Sequence, residues 1–327
     1  MTAFIEPAVW LRFTAQEYLS SFIRDGGCAI KFAVPLDDFV RPDVLGGIAR
    51  IAHDAGYLLV EIDAAQTKIH LIDELFFRAA SQIPWEDLSR KVIATLADAA
   101  GYAWADEGDD PLYQRLAEKN RVDPQMLLLD LKKAIGDKVF KRRDLSRDFR
   151  VAMTSLCIAE LTGGEDGAAD AKLLTDWLTG RNKAVSAVTQ FQIFRKINRA
   201  TARYFFESTT HWLKLAGCPG MVVLIDAARI KFPRNPNDGG IFYSKAAVLD
   251  AYEVLRQFID GAGRLRSCFI AVVPDVAFLE DPSRGIDAYE ALKFRVFDEV
   301  RDRYLVNPMA SLARISTSVR GGLALCT

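Results

Sequence analysis

Four short apolar runs constrain the fold of this chain more than any other feature. They are CAIKFAV at 28–34, YLLVEI at 57–62, MVVLID at 221–226 and SCFIAVV at 267–273. Their apolar residues are largely continuous and do not alternate with polar ones, which is typical of strands covered on both faces of a sheet. A helical pattern at 43–55 joins the first two runs, and such a connection places its strands in parallel. The sequence therefore predicts an α/β fold, a parallel sheet flanked by helices.

The stretch between the second and third apolar runs predicts a helical segment. Helical periodicity dominates 69–178, and a second long helical pattern covers 186–215. We therefore expect the α/β domain to be divided into an N-terminal part at 1–68 and a C-terminal part at 185–327. The residues between these parts, 69–184, are predicted to form a helical insertion or lid.

Composition indicates which kinds of partner the chain can bind and in which cell compartment it is expected. The 42 basic and 43 acidic side chains nearly cancel, so binding to nucleic acid or to an anionic membrane would need a local patch. The five cysteines are scattered, which favours buried thiols in a reducing compartment. The N-terminus lacks the pattern of a signal peptide, and no apolar run approaches the roughly 20 residues that span a bilayer. We expect a cytoplasmic protein without a membrane segment or a metal centre.

Asp226 is the candidate catalytic-type residue, because it ends the third apolar run. In P-loop ATPases a carboxylate at the carboxyl end of a strand holds magnesium. In active ATPases of this kind the next residue is usually a glutamate that polarises water, whereas Ala227 follows here and a methyl group cannot act as a base. A magnesium ligand and a simple cap of the following turn are equally good interpretations of Asp226.

The phosphate-binding loop of such a site is missing from the sequence. It has the form G-x-x-x-x-G-K-[ST] after the first strand, where backbone amides and the lysine hold phosphates. At that place the chain reads PLDDFVRP, residues 35–42, in which Asp37 and Asp38 would repel phosphates. Lys31 lies inside the first strand and does not replace the lysine by position.

Two basic stretches are candidate contacts to nucleic acid or to a partner protein. In the first, Arg195, Arg199 and Arg203 recur every four residues, which predicts a stripe on one face of the helix at 186–215. Such a stripe could follow a phosphate backbone or an acidic patch, and the alternative is an ordinary solvated face. The second stretch, residues 132–150, is the densest in basic residues, and three of them are consecutive. These three are Lys141, Arg142 and Arg143.

Several segments resemble one known family, the BrxD-like P-loop ATP-binding proteins of BREX-type bacteriophage defence systems. The similar segments are WLTG at 177–180, LKLAGCPGMVVLIDA at 213–227, DAYEVLRQFIDGAGRLRSCFIAVVP at 250–274, FLEDPSRGIDAYEAL at 278–292, and the N-terminal GGCAIKFAV and AGYLLVEID. The resemblance implies a P-loop NTPase-like fold of the AAA+/STAND-like kind. It also implies an intact phosphate loop and a glutamate after Asp226, and this chain departs from the family at both places. Arg284 and Arg295 lie in the similar segments, without an assigned role.

The leading hypothesis is a degenerate, catalytically inactive pseudo-ATPase that regulates or scaffolds an anti-phage defence complex. Its expected partners are other defence-system proteins, including a related active ATPase, and no cofactor is expected. The first alternative is an active ATPase with an atypical phosphate loop, which would use ATP and magnesium with Asp226 as a ligand. The second alternative is a DNA-binding module that works through the stripe of Arg195, Arg199 and Arg203.

Overall fold

The computed structural model describes residues 4–105, 108–298 and 306–317. The chain divides into two compact units. One unit combines Met1–Leu75 with Pro219–Thr327, and the other is Phe76–Cys218. The domain bounds expected from the sequence differ from these bounds and stay a prediction.

The first unit is built on a parallel sheet. Its strands among the described residues are β1 (Cys28–Pro35), β2 (Leu58–Asp63), β3 (Met221–Asp226), β4 (Cys268–Val273) and β5 (Leu312–Ile315). All pairs are parallel, and the order across the sheet is β2-β3-β4-β1-β5. The α/β, P-loop NTPase-like fold expected from the sequence is thus confirmed. The short edge strand β5 was not predicted, because its four residues, LARI, include a charged one.

The strand order creates a topological switch point beside β1, where the connections from two adjacent strands lead in opposite directions. The connection that leaves β1 leads to β2 at one edge of the sheet, while the connection that leaves the adjacent β4 leads to β5 at the other edge. Parallel crossovers are right-handed, so these two connections leave on opposite faces of the sheet. In open α/β sheets, ligands bind outside the carboxyl ends of the strands at such a switch point. The carboxyl ends of β1, β3 and β4 are therefore the place to look for a site.

One face of the sheet packs against N-terminal helices. Helix α1 (Pro7–Phe13) continues as a π-helical stretch, Thr14–Phe22, and helix α2 (Arg41–Asp54) follows β1. Apolar side chains of these helices, such as Leu19 and Ile48, are fully buried in one cluster with side chains of β3 and β4. Burial of apolar area of this kind is the main stabilising contribution to the fold.

The opposite face is covered by elements from the C-terminal part of the unit. These are α10 (Lys245–Asp260), α11 (Ala277–Glu280) and α12 (Glu290–Val296), and the unit also contains the start of α3 (Ile72–Ala80). Phe278 of α11 stacks on Phe32 of β1 with ring centroids 5.5 Å apart. Tyr252 of α10 meets the Phe278 ring edge-on, with ring centroids 5.6 Å apart. The sheet is therefore buried on both faces, as its apolar strands require.

The second unit is helical. Its helices beyond α3 are α4 (Trp85–Ala99), α5 (Leu112–Asn120), α6 (Pro124–Ile135), α7 (Arg147–Thr162), α8 (Gly164–Leu178) and α9 (Ala202–Leu215). Phe205 of α9 lies at the centre of an aromatic cluster, with its ring centroid 5.5 Å from Trp177 and 5.9 Å from Phe149. Within the described parts of the chain, no helix is both long enough and apolar enough to cross a membrane.

Candidate functional site

Asp226 lies where the sequence places it, at the carboxyl end of β3. Its Oδ1 accepts a hydrogen bond from the backbone N–H of Ala228 at 3.0 Å, so the carboxylate caps the turn that follows the strand. Asp63 stands beside it in register at the end of β2 and caps its own turn in the same way, through Ala65 N–H at 2.7 Å. The use of Asp226 as a turn cap is therefore present in the structure. Its use as a magnesium ligand stays a prediction.

The second partner of Asp226 is the guanidinium of Arg41, which begins helix α2. Arg41 Nη2 donates to Asp226 Oδ1 and to the carbonyl of Val273 at 2.8 Å. Its Nη1 donates to the carbonyl of Pro274 at 3.0 Å. The guanidinium thus joins the carboxyl ends of β3 and β4, and its charge is balanced by one carboxylate and two carbonyl dipoles. A cation that belongs to the protein itself contacts the carboxylate that a magnesium ion would use.

Arg41 corresponds in position to the lysine of the phosphate-loop motif. The motif has eight positions, and when its first position is placed on Pro35 its seventh position, the lysine, falls on Arg41. The sequence reasoning missed this residue, although the count of positions after the first strand could have found it. Residue types conceal the match, because the chain has no glycine-lysine pair, and only the spacing of the motif reveals it.

The backbone of residues 35–42 does not form a phosphate cradle. All eight residues are described, and none has a positive φ, whereas anion-binding nests alternate right- and left-handed residues. Pro35 and Pro42 have no N–H to donate. Of the remaining amides, Leu36 N–H donates to the carbonyl of Ile315 at 2.9 Å and Val40 N–H donates to Asp37 Oδ1 at 3.0 Å. A carboxylate of the protein thus takes a donor at the helix N-terminus, where P-loop proteins place phosphate.

A cleft of about 380 Å³ opens beside this loop and carries no excess of positive charge. It is lined by Pro35, Leu36, Asp37, Asp38, Phe39, Arg41, Lys231, Asp275 and Val276. Lys231 Nζ donates to Asp275 Oδ2 at 2.8 Å and lies 4.0 Å from Asp38 Oδ1. Both cations of the cleft are therefore engaged with carboxylates of the protein. Phe39, at the tip of the loop, is 81% exposed.

Magnesium with a nucleotide triphosphate does not fit this arrangement of residues. The predicted magnesium ligand is paired with Arg41, two of the loop amides already donate to other groups, and Asp37 and Asp38 add negative charge to the cleft beside the loop. Ala227, at the position of the missing base, has a buried methyl group. No catalytic step through a bound triphosphate follows from this geometry.

Lys31 is directed to another part of the unit. It is buried, its Nζ donates to the carbonyls of Met309 at 2.5 Å and Ala310 at 3.2 Å, and it lies 4.7 Å from the ring centroid of Tyr18. Burial lowers the pKa of its ammonium to about 8 from its usual 10.5. In this structure Lys31 therefore fixes the turn before β5 and is not the cation of the candidate site.

Two further arginines of the family-like segments have structural contacts. Arg284 is buried and donates to the carbonyls of Ile230 at 2.9 Å and Tyr243 at 2.8 Å. Arg295 on α12 pairs with Asp260 of α10 at 2.5 Å. Both guanidiniums tie elements of the first unit together.

The predicted helical stripe of Arg195, Arg199 and Arg203 is wrong. Two short 3-10 turns, Val185–Ala187 and Thr189–Phe191, are followed by irregular backbone, and helix α9 begins only at Ala202. Arg195 and Arg199 therefore lie in a loop, and only Arg203 is on the helix.

Local interactions explain why this segment is not helical. Gln192 adopts a left-handed φ of 64°, which interrupts a helix. Asn198 Oδ1 accepts from Ala200 N–H at 3.0 Å, and the Thr201 hydroxyl donates to the carbonyl of Lys196 at 3.0 Å, so side chains replace helical hydrogen bonds. The sequence gives the four-residue spacing of the arginines, but it does not show that the backbone between them turns.

Two of the three consecutive basic residues in the second predicted stretch are paired with acidic residues of the same stretch. Lys141 Nζ lies 2.6 Å from Asp137 Oδ1, and Arg142 Nε donates to Asp144 Oδ1 at 2.8 Å. Both pairs stand on the surface of the helical unit. Of the three consecutive basic residues, Arg143 is the exposed one without an ion pair among the described residues.

The fold and the position of its polar strand ends define an α/β protein of the P-loop NTPase-like class. Residues 112–318 match the model of one family, BREX system ATP-binding protein BrxC/D. The match covers more than half of the chain, and the chain belongs to this family. It includes β3, β4 and β5 and begins after β1 and the loop at 35–42. No curated protein and no solved structure matches the chain.

Proposed function

We propose that this protein is a component of a BREX-type phage-defence system that regulates or scaffolds the complex without binding ATP. The observation that carries the proposal is the contact of Arg41 with Asp226 and with the end of β4. The protein keeps the scaffold of its family and fills the nucleotide position with its own cation. In the proposed role, the contacts of Arg41 keep the sheet edge in one conformation in the absence of nucleotide.

Membership of the family supports other defence-system proteins as partners. An active ATPase of related fold is the partner we expect first, because proteins with this fold commonly complete one another's sites across an interface. In that complex the present protein would supply a surface of constant shape. It would not supply hydrolysis.

Calorimetry with ATP and magnesium tests the loss of nucleotide binding. We expect no heat of binding for the wild-type protein. As a matched variant, Pro35→Gly, Val40→Gly, Arg41→Lys and Pro42→Thr together rebuild the motif on the same scaffold, and this variant is expected to gain affinity for ATP. Binding by the wild-type protein that disappears in Asp226→Ala would show that the proposal is wrong. It would support the alternative of an active ATPase with an atypical loop.

Affinity purification from cells that carry the complete defence system tests the scaffolding role. We expect the protein to co-purify with other defence proteins in equal amounts with and without ATP. Recovery of the protein alone, or recovery of partners only when ATP is present, would count against a nucleotide-independent scaffold.

A further inference from the structure

The segment that follows helix α8 is unusually basic for a chain of almost zero net charge. Residues 181–206 contain six basic side chains and no acidic one. The six are Arg181, Lys183, Arg195, Lys196, Arg199 and Arg203. We call residues 181–204 the basic loop, which includes the first turn of α9. A run of charge without acidic neighbours in sequence gives a local positive field even when the whole chain is neutral.

The cations at the centre of the basic loop are not neutralised by the rest of the described chain. Arg195, Lys196 and Arg199 are exposed, and none of them has an ion pair with any residue that the structure describes. At the ends of the loop the arrangement differs. Arg181 lies 3.5 Å from Asp176, and Arg203 lies 3.4 Å from Glu207. The three central cations are therefore available to an anionic ligand.

Aromatic rings accompany these cations at the surface. Phe194 is 56% exposed and precedes Arg195 directly, and Tyr204 is 46% exposed beside Arg203, whose guanidinium lies 5.3 Å from its ring centroid. Exposure of a phenylalanine at a protein surface costs free energy, because apolar area stays in water. Rings placed among cations are the usual surface for stacking of unpaired bases.

The basic loop is held in place although it is irregular. Ile193 and Ile197 are buried on either side of the exposed Phe194, Arg195 and Lys196. The turn at Asn198 is closed by the Ala202 N–H, which donates to the carbonyl of Asn198 at 2.8 Å. The exposed side chains therefore project from a fixed backbone, which reduces the entropy lost when a ligand binds.

We propose that the basic loop binds a single strand of nucleic acid. Arg195, Lys196 and Arg199 contact phosphates, and Phe194 stacks on a base. An acidic protein surface would pair with the cations, but negative charge alone does not account for the exposed ring among them. The inference does not depend on whether ATP binds, because none of its residues belongs to the sheet edge.

Fluorescence anisotropy with the full-length protein tests the proposal, with a labelled oligothymidine of about 20 nucleotides as the probe. We expect binding at low salt that weakens as salt rises. Three phosphate contacts correspond to a slope of log K against log salt of about −2 for a single strand. The variant Arg195→Ala/Lys196→Ala/Arg199→Ala should lose this slope and most of the affinity. Phe194→Ala should weaken binding about tenfold at an unchanged slope.

Two matched controls separate specific contacts from general charge and general hydrophobicity. Lys138→Ala/Lys141→Ala/Arg143→Ala removes the same charge from the other basic stretch of the same unit. Phe294→Ala removes a ring that is 78% exposed in the first unit. Both controls should bind the oligonucleotide as the wild-type protein does.

The proposal is overturned if the wild-type protein does not bind the probe, or if it binds a duplex of equal length as tightly. It is also overturned if either control weakens binding as much as its matched variant. Binding of polyglutamate in place of the oligonucleotide would identify the basic loop as a protein contact and would equally reject the proposal. Circular dichroism of each variant confirms that a loss of binding is not a loss of fold.

Discussion

The edge of the sheet and the basic loop both contain arginine side chains, but the charge is neutralised by neighbouring groups only at the sheet edge. At the sheet edge, Arg41 meets a carboxylate and two carbonyls that already lie at the ends of β3 and β4. In the basic loop, Arg195 and Arg199 are exposed and have no ion pair among the described residues. The same side chain is thus part of the folded framework in one region and a surface charge in the other.

This difference shows that the hydrogen-bond acceptors around a basic side chain determine whether it belongs to the folded framework or remains a surface charge. The carboxyl ends of parallel strands direct carbonyl oxygens at one edge of a sheet, so a guanidinium placed there finds several acceptors at fixed positions. In the basic loop, the carbonyls of Lys196 and Asn198 accept hydrogen bonds from the loop itself, and no carboxylate of the described chain pairs with Arg195 or Arg199. The following predictions test whether this contrast is real.

Among substitutions in the two regions just compared, the largest effect is expected from Arg41→Ala. The substitution leaves Asp226 partly buried beside carbonyls without its partner. Because Asp226 is 29% exposed, we expect a loss of about 2–3 kcal/mol in the free energy of unfolding, below the usual cost for a fully buried pair. Urea denaturation measures this loss, with Arg199→Ala as the control, which should change the free energy by less than about 0.5 kcal/mol. Equal effects of the two substitutions would remove the contrast between the regions.

Lys31 is a buried cation, and burial disfavours its charged form. Because its folded-state pKa of about 8 lies below the usual 10.5, the unfolded chain binds more protons between these pH values. Stability should therefore rise from pH 8 to pH 10.5, by up to about 1.4 kcal/mol per pH unit. Urea titrations of the wild-type protein and of Lys31→Met across this range measure the effect. The variant should lack this contribution, and identical pH profiles would show that Lys31 is not perturbed.

A double-mutant cycle isolates the contact between Arg41 and Asp226. We compare Arg41→Ala, Asp226→Asn and the double variant, and we expect a coupling free energy of about 1 kcal/mol or more, since the two groups are in contact. Strict additivity would mean that Arg41 is stabilised by the carbonyls of Val273 and Pro274 alone. The pair Lys141 and Asp137 serves as an exposed comparison, with an expected coupling smaller than that of Arg41 and Asp226, because water screens an exposed ion pair.

The smallest effect is expected from removal of the exposed cations. Arg195→Ala/Lys196→Ala/Arg199→Ala should leave the free energy of unfolding within about 0.5 kcal/mol of the wild type, because these side chains have no ion pair in the described structure. Urea denaturation at low and high salt measures this. A marked loss of stability would place the three residues in the framework of the fold and weaken their assignment to a ligand.

The fold was largely predictable because its strands are buried on both faces. The four longer strands, β1 to β4, follow the apolar runs of the sequence, and helix α2 follows the helical pattern at 43–55. The edge strand β5 escaped prediction because a strand of four residues, one of them Arg314, has no distinct pattern of its own. The helix predicted at 186–215 is shorter in the structure, where it begins at Ala202. Periodicity does not reveal side-chain hydrogen bonds such as those of Asn198, which hold the preceding residues in a loop.

The position of the candidate site could be predicted from the sequence, but the contacts between its residues could not. The strand that ends in Asp226 and the eight residues after β1 are visible in the sequence. The contact of Arg41 with Asp226 spans 185 positions along the chain, and no local pattern encodes it. Only the order of the strands brings the start of α2 to the ends of β3 and β4.

The sequence by itself determined the parallel sheet, the family-like segments and the absence of a phosphate-loop motif, because these depend on residue types and spacing along the chain. The tertiary structure alone decided which charges are neutralised. Electrostatic balance depends on the distance and burial of groups far apart in sequence. For that reason Arg41 is bound at the sheet edge, while Arg195, Lys196 and Arg199 remain exposed at the surface.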